Sequence, residues 1–372
     1  MDFSGRLGGR YGGGAQRDVD EFGRERRGRP HQRKPYDRPN RGYRGGANAG
    51  GGGGGHAVQV DEGQDIESRL SSLIVKVGDK NAPTLQNNLE ALSVVLEKDY
   101  AKHEVTVLRT FRQCVLELPW KVTVYATLAG LLNAKNSDTG AKVVTLVHAV
   151  LRRELAAGNW ASVKVLMRFF ALLVGANVIS ASTLLAMLDV FIEAAAGAPP
   201  SAQSSCYVFI AMSTLLWAGR SLKEAAPAEL DARLEAVAQY VQRLDTATQG
   251  STLTTIFHDA PPKGPNVLAA LLDVLRAVAA GGWQIDAVFA PHEMFAAEFA
   301  GATQHELPAL ELPADLPPSA FRTPSEFVQL VPSPAEHAVR RYVLQDLIAD
   351  TLAQLEYNRK DCARYLLQIH GL

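Results

Sequence analysis

Catalysis would need a nucleophile, an imidazole or paired carboxylates at a workable spacing, and this chain offers few starting points, with 3 cysteines and 9 histidines among 372 residues. His258-Asp259 and His292-Glu293 each set an imidazole beside a carboxylate. Adjacent residues on a helix point about 100° apart, and a loop pair needs a third group to orient the ring, so neither reads as an acid–base site. The Gly-Lys dipeptide is absent, which excludes the GxxxxGK[ST] phosphate loop, and neither HExxH nor GxSxG occurs. The glycines from Gly50 to Gly55 satisfy GxGxxG trivially, with no strand before them and no helix after. Cys114, Cys206 and Cys362 are scattered without a CxxC or a Cys/His cluster, which argues against a zinc site and a disulfide framework. They read as packing residues, and His148 as a surface or boundary position on a helix. No catalytic residue, metal or cofactor is expected.

Binding chemistry gathers at the N-terminus. Residues 1–56 hold 17 of the 31 glycines and 12 basic against 6 acidic side chains, so the remainder carries a surplus of acid within an overall net charge of -1. The cluster Arg24, Arg26, Arg27, Arg29, Arg33 and Lys34 fits a nuclear import signal. With Arg41, Tyr43 and Arg44 it also fits phosphate pairing and base stacking on unpaired RNA. A solvated tail with neither role is the third reading. Large apolar side chains are too sparse there to offset the entropy of ordering, so 1–59 is expected to be a disordered, Gly/Arg-rich arm.

From Ile66 the apolar residues recur three and four apart, the period of amphipathic helices, and period-two strand patterns are nowhere sustained. Ile66, Leu70, Leu73, Ile74 and Val77 form one stripe. Separate helices are predicted over 83–96 and 105–118, and the pattern continues to about Ala302. Some ten or eleven helices at roughly 45 residues per pair predict an all-α fold, a HEAT/ARM-like superhelical solenoid of antiparallel helix pairs over 60–302. Trp120, Trp160, Trp217 and Trp283 fall near predicted helix ends and read as wedges between helices. Prolines 308, 313, 317, 318, 324, 332 and 334 forbid a long helix over 303–335, a linker or an extended strip along the solenoid. A last helix from Glu336 to Gln368 opens the segment 336–372. Its stripe of Val343, Leu347, Ile348, Leu352 and Leu355 is expected to lack packing partners.

The first residues contain no apolar run that could act as a secretory signal, and their acids and scarcity of Ser argue against a mitochondrial presequence. The most apolar uncharged run, Tyr207 to Gly219, is shorter than the ~20 residues a bilayer span requires. A soluble intracellular protein in a reducing compartment is expected.

Six stretches then carry a family resemblance. They are Leu73 to Lys80; Leu85 to Leu92; Lys121 to Tyr125 with Gly130 to Asn136; Val165 to Phe169 with Asn177 to Ile179; Tyr207 to Phe209 with Leu216 to Gly219; and Asn358 to Ala363. In order and content they resemble the opening of the large subunit of the nuclear cap-binding complex. The resemblance implies three consecutive helical domains, the first similar to the middle domain of eukaryotic initiation factor 4G; here that means the first domain complete and one helix of the second. It further implies a non-catalytic nuclear scaffold that shuttles to the cytoplasm. A small subunit with an RNA recognition motif holds capped RNA polymerase II transcripts, and the complex links them to splicing, export and decay proteins. No membrane partner is implied. A translation-type or mRNA-decay adaptor on the same helical domain is the alternative.

Overall fold

The computed structural model describes residues 62–79, 84–252, 266–285, 290–330 and 337–354. Over these the three-and-four spacing becomes α1 (Glu62–Lys76), α2 (Leu85–Glu117), α3 (Val122–Lys135), α4 (Ser137–Ala156), α5 (Trp160–Gly175) and α6 (Ala181–Ala196). It continues through α7 (Ala202–Ala225), α8 (Pro227–Thr252) and α9 (Val267–Ala280). Short helices α10 (Ala296–Phe299) and α11 (Pro324–Phe327) precede α12 (Ala338–Gln354). Among the described residues there is no sheet, only an isolated bridge between Ile179 and His305. The all-α architecture is the one the periodicity predicts.

Local chemistry places several helix starts. The Asn136 side chain accepts hydrogen bonds from the backbone N–H groups of Asp138 and Thr139, Ser180 accepts from Thr183, and Asn266 accepts from Leu268 and Ala269. Ser201 and Ser204 close a reciprocal capping box on α7. The helices predicted over 83–96 and 105–118 are the two arms of α2, which meet without a loop at a kink at His103, where the backbone leaves helical geometry (φ -125°, ψ 24°). Glu67 of α1 braces that bend, accepting from Thr106 at 2.8 Å and lying 3.5 Å from the His103 ring.

The helices form two rows. In the first, α3, α5, α7 and α9 each touch the next; in the second, α4, α6 and α8 each pack on the first-row helices before and after them. Three of the first-row helices are buried nearly all round: every residue from Val122 to Asn133 of α3, from Val163 to Val174 of α5 and from Ser204 to Gly219 of α7 is buried. Trp217 therefore lies inside α7 and not at a helix end, while Trp160 begins α5 and Trp120 sits in the turn before α3. His148, expected near the surface, is buried with its ring edge-on to Phe170 at 6.3 Å.

Residues 291–299 turn back across the first row onto α3. Two asparagine amides then receive the chain. Asn133 donates to the Thr303 carbonyl at 2.8 Å and meets the His305 ring at 2.7 Å, and Asn177 donates to the Phe299 carbonyl at 2.7 Å. The proline-containing stretch that follows is a strap along the helices. Phe321 stacks on Trp160 at 5.1 Å, the Trp160 indole N–H donates to the Ala320 carbonyl at 3.0 Å, and Phe327 stacks on Phe209 at 4.7 Å.

Gly219 shows how closely the first row is packed. Trp283, held at a left-handed φ of 63°, lies across α7 where Gly219 leaves the backbone bare, and a β-carbon there would fall inside the indole. In an open helix Gly→Ala stabilises by about 1 kcal/mol. Here overpacking reverses the sign, and Gly219→Ala is expected to destabilise by about 1–3 kcal/mol, read as a lowered midpoint in urea unfolding.

Candidate functional site

Arg24, Arg26, Arg27, Arg29, Arg33, Lys34, Arg41, Tyr43 and Arg44 lie outside the described residues, as do His258-Asp259 and Cys362. Among the described residues no three His, Cys, Asp or Glu side chains converge as metal ligands. Cys114 and Cys206 are buried, and burial pushes their thiols up to about 11 and about 12 respectively. At neutral pH both are inert thiols. No single described helix is long and apolar enough to cross a membrane.

His292 and Glu293 each face a neighbour on another element. The Glu293 carboxylate is engaged by the Arg220 guanidinium of α7, and the His292 ring packs beside Gly175 and Ser221. Burial lowers the His292 pKa from its ordinary value. The Arg220–Glu293 bridge separates two open grooves of about 700 and 580 Å³; the first runs over Ala181, Ala225 and Phe299, the second over Thr123, Trp217 and Trp283.

The densest charge in the described molecule is buried, and sequence reading missed it. Lys164 and Arg168 on α5 face Asp346 and Asp350 on α12, and none of the four side chains is more than 4% exposed. Lys164 Nζ reaches Asp346 at 2.5 Å and Asp350 at 2.6 Å, while Arg168 Nη2 reaches them at 2.5 Å and 2.7 Å. Burial opposes ionisation of Asp346, but the Lys164 and Arg168 charges outweigh it and hold that carboxyl below the usual range. At Asp350 burial prevails and the pKa is raised. The Arg168 guanidinium also lies 4.7 Å from the Trp217 ring centre. The available signal was that these are the only two charges in the apolar helix α5.

The quartet overturns one expectation. The last helix is not an orphan, because α12 packs on α9, α5, α2, α11 and the 119–121 turn, burying Tyr342, Val343 and Leu347. The physical reason is that two buried cations need buried anions, and α12 carries them. Residues 355–372, the rest of the predicted helix, lie outside the described residues.

The sequence model of the MIF4G domain matches residues 67–275, α1 through most of α9. The chain belongs to the MIF4G domain family. Its relatives include the protein named nuclear cap-binding protein subunit 1 from Anopheles gambiae, 29% identical over 321 residues, which are 84% of this chain and 40% of that protein. The protein of the same name from Aedes aegypti is 29% identical over 323 residues, 84% of this chain and 39% of the relative. This chain thus spans about 40% of the length of the curated relatives it matches.

Two outcomes are expected from this geometry. A chain ending at Ala335 loses the burial of Val343 and Leu347, about 1.5–3 kcal/mol each, together with the counter-charges of Lys164 and Arg168. At roughly 2–4 °C per kcal/mol for a domain of this size, thermal unfolding should begin about ten degrees lower; an unchanged midpoint would contradict the packing of α12. The second outcome concerns acid. Burial lowers the pKa of His148, His292 and His305, so below the unfolded value of about 6.5 the unfolded chain binds more protons. Their contribution is complete above that value and is lost as pH falls through the folded pKa values. The unfolding midpoint should be lower at about pH 5.5 than at about pH 7.5, and His148→Leu should flatten that slope.

Proposed function

We propose that this chain is the opening part of the large subunit of a nuclear cap-binding complex, acting as a scaffold without catalysis of its own. The observation that carries the reading is that relatives named nuclear cap-binding protein subunit 1 match 84% of the chain. Capped RNA is held through a small partner with an RNA recognition motif, and the helical rows present surfaces to splicing, export and decay proteins. The protein works in the nucleus and shuttles to the cytoplasm. Helices α1 to α12 form the first helical domain, with the strap of 303–330 crossing it and α12 packed against α5 and α9. The arm 1–59, through Arg24 to Arg44, serves nuclear import and RNA contact.

The electrostatics support this division of labour. An acidic body with Asp and Glu spread over its helices does not attract a polyanion, whereas the Arg-rich arm does. The full chain should therefore bind short single-stranded RNA weakly and without sequence preference, losing affinity with salt at a slope of about -0.7 per phosphate contacted. Alone it should prefer a methylated over an unmethylated cap analogue by less than about tenfold, or 1.4 kcal/mol, in fluorescence titration. Adding the small partner should create that preference, and removing residues 1–56 should abolish the salt-sensitive RNA binding. A strong cap preference by the isolated chain would refute the scaffold reading.

A further inference from the structure

The α5–α12 contact combines two interaction types with different information content. The apolar part, Val339, Val343 and Leu347, repeats every four residues along α12. Sliding α12 by one turn puts Val339 or Leu347 where Val343 was, so apolar packing alone barely distinguishes one register from the next. The charged part is not degenerate. Lys164 and Arg168 stand one turn apart on α5, Asp346 and Asp350 one turn apart on α12, and each cation touches both carboxylates. Sliding by a turn brings Tyr342 or Gln354 into the row that faces the cations and drives one carboxylate away from them. A buried charge would then be left uncompensated, the costliest arrangement available to an ion pair inside a protein.

Desolvation offsets most of what such a cluster gains in attraction, so its net contribution to stability is small against a well-packed apolar equivalent. Its distinctive physical effect is selection among packings. We propose that the Lys164–Arg168–Asp346–Asp350 cluster is a register lock: it holds α12 at one position along α5 and so fixes where the end of α12 at Gln354 lies on the domain.

The test moves the acids by one turn. Spin labels are placed at Gln113 on α2 and Ala353 on α12, both exposed, in a Cys362→Ser background where the buried Cys114 and Cys206 do not react. Dipolar distance measurement on this protein should give one narrow distance. In Tyr342→Asp/Asp350→Leu the same two acids sit one turn earlier, and α12 should slide to meet the cations. The result expected is one narrow distance displaced by up to about 6 Å, four residues at 1.5 Å rise. An unchanged distance overturns the proposal, because packing then sets the register. A broad distribution of long distances also overturns it, because the shifted acids then failed to recapture the helix. In a second variant, Lys164→Met/Arg168→Met/Asp346→Leu/Asp350→Leu, the lock predicts cooperative unfolding with two or more distances. One narrow distance at the original value, or loss of folding, would each count against it.

Discussion

Two cations sit at the centre of this molecule, and much of its organisation follows from the need to neutralise them. Lys164 and Arg168 lie on α5, the first-row helix that touches α2, α3, α4, α6 and α7. Positions so deeply placed tolerate charge only with a paired and hydrogen-bonded counter-charge. α12 brings Asp346 and Asp350, and to arrive there the chain must cross from α9 back over the helices. The strap of residues 303–330 is that crossing, pinned by Asn133 and Asn177 at its start and by Phe321 and Phe327 further on. The aromatic and ionic fixings adjoin, since Lys164 Nζ lies 5.7 Å from the Phe209 ring and 5.8 Å from the Phe327 ring.

The stretches that carry the family resemblance include the closest approaches in the packing. Lys121 reaches the Val75 carbonyl at 2.9 Å and pairs with Asp79, closing the end of α1 against the turn before α3. Gly130 leaves room for Phe299, whose ring atoms lie 2.8 Å from where a β-carbon would be. Asn133 spends its amide on the Thr303 carbonyl of the strap and Asn177 on the Phe299 carbonyl just before it, and Gly219 seats Trp283. These residues set how near one helix or strap comes to another.

The periodicity of apolar residues and the sorting of charge into a basic arm and an acidic body are local or compositional facts, and from them the sequence determined the helices, their order, the all-α class and the absence of a recognisable catalytic motif. Its errors were errors about distance along the chain. The break between the two predicted helices is the bend at His103, and the period alone does not show that Glu67 of the preceding helix lies against it. His148 is buried with Phe170 of the next helix edge-on to its ring and Pro308 of the strap within its electrostatic reach, and neither neighbour is visible in the period of α4. The same limit applied most strongly to α12, which a period of three and four identifies as a helix without saying what lies against it. Only the tertiary structure decided that Lys164 and Arg168 meet Asp346 across separations of 182 and 178 residues. The physical reason is that a charge in an apolar helix announces only that it needs a partner; which partner it receives depends on how the whole chain folds back.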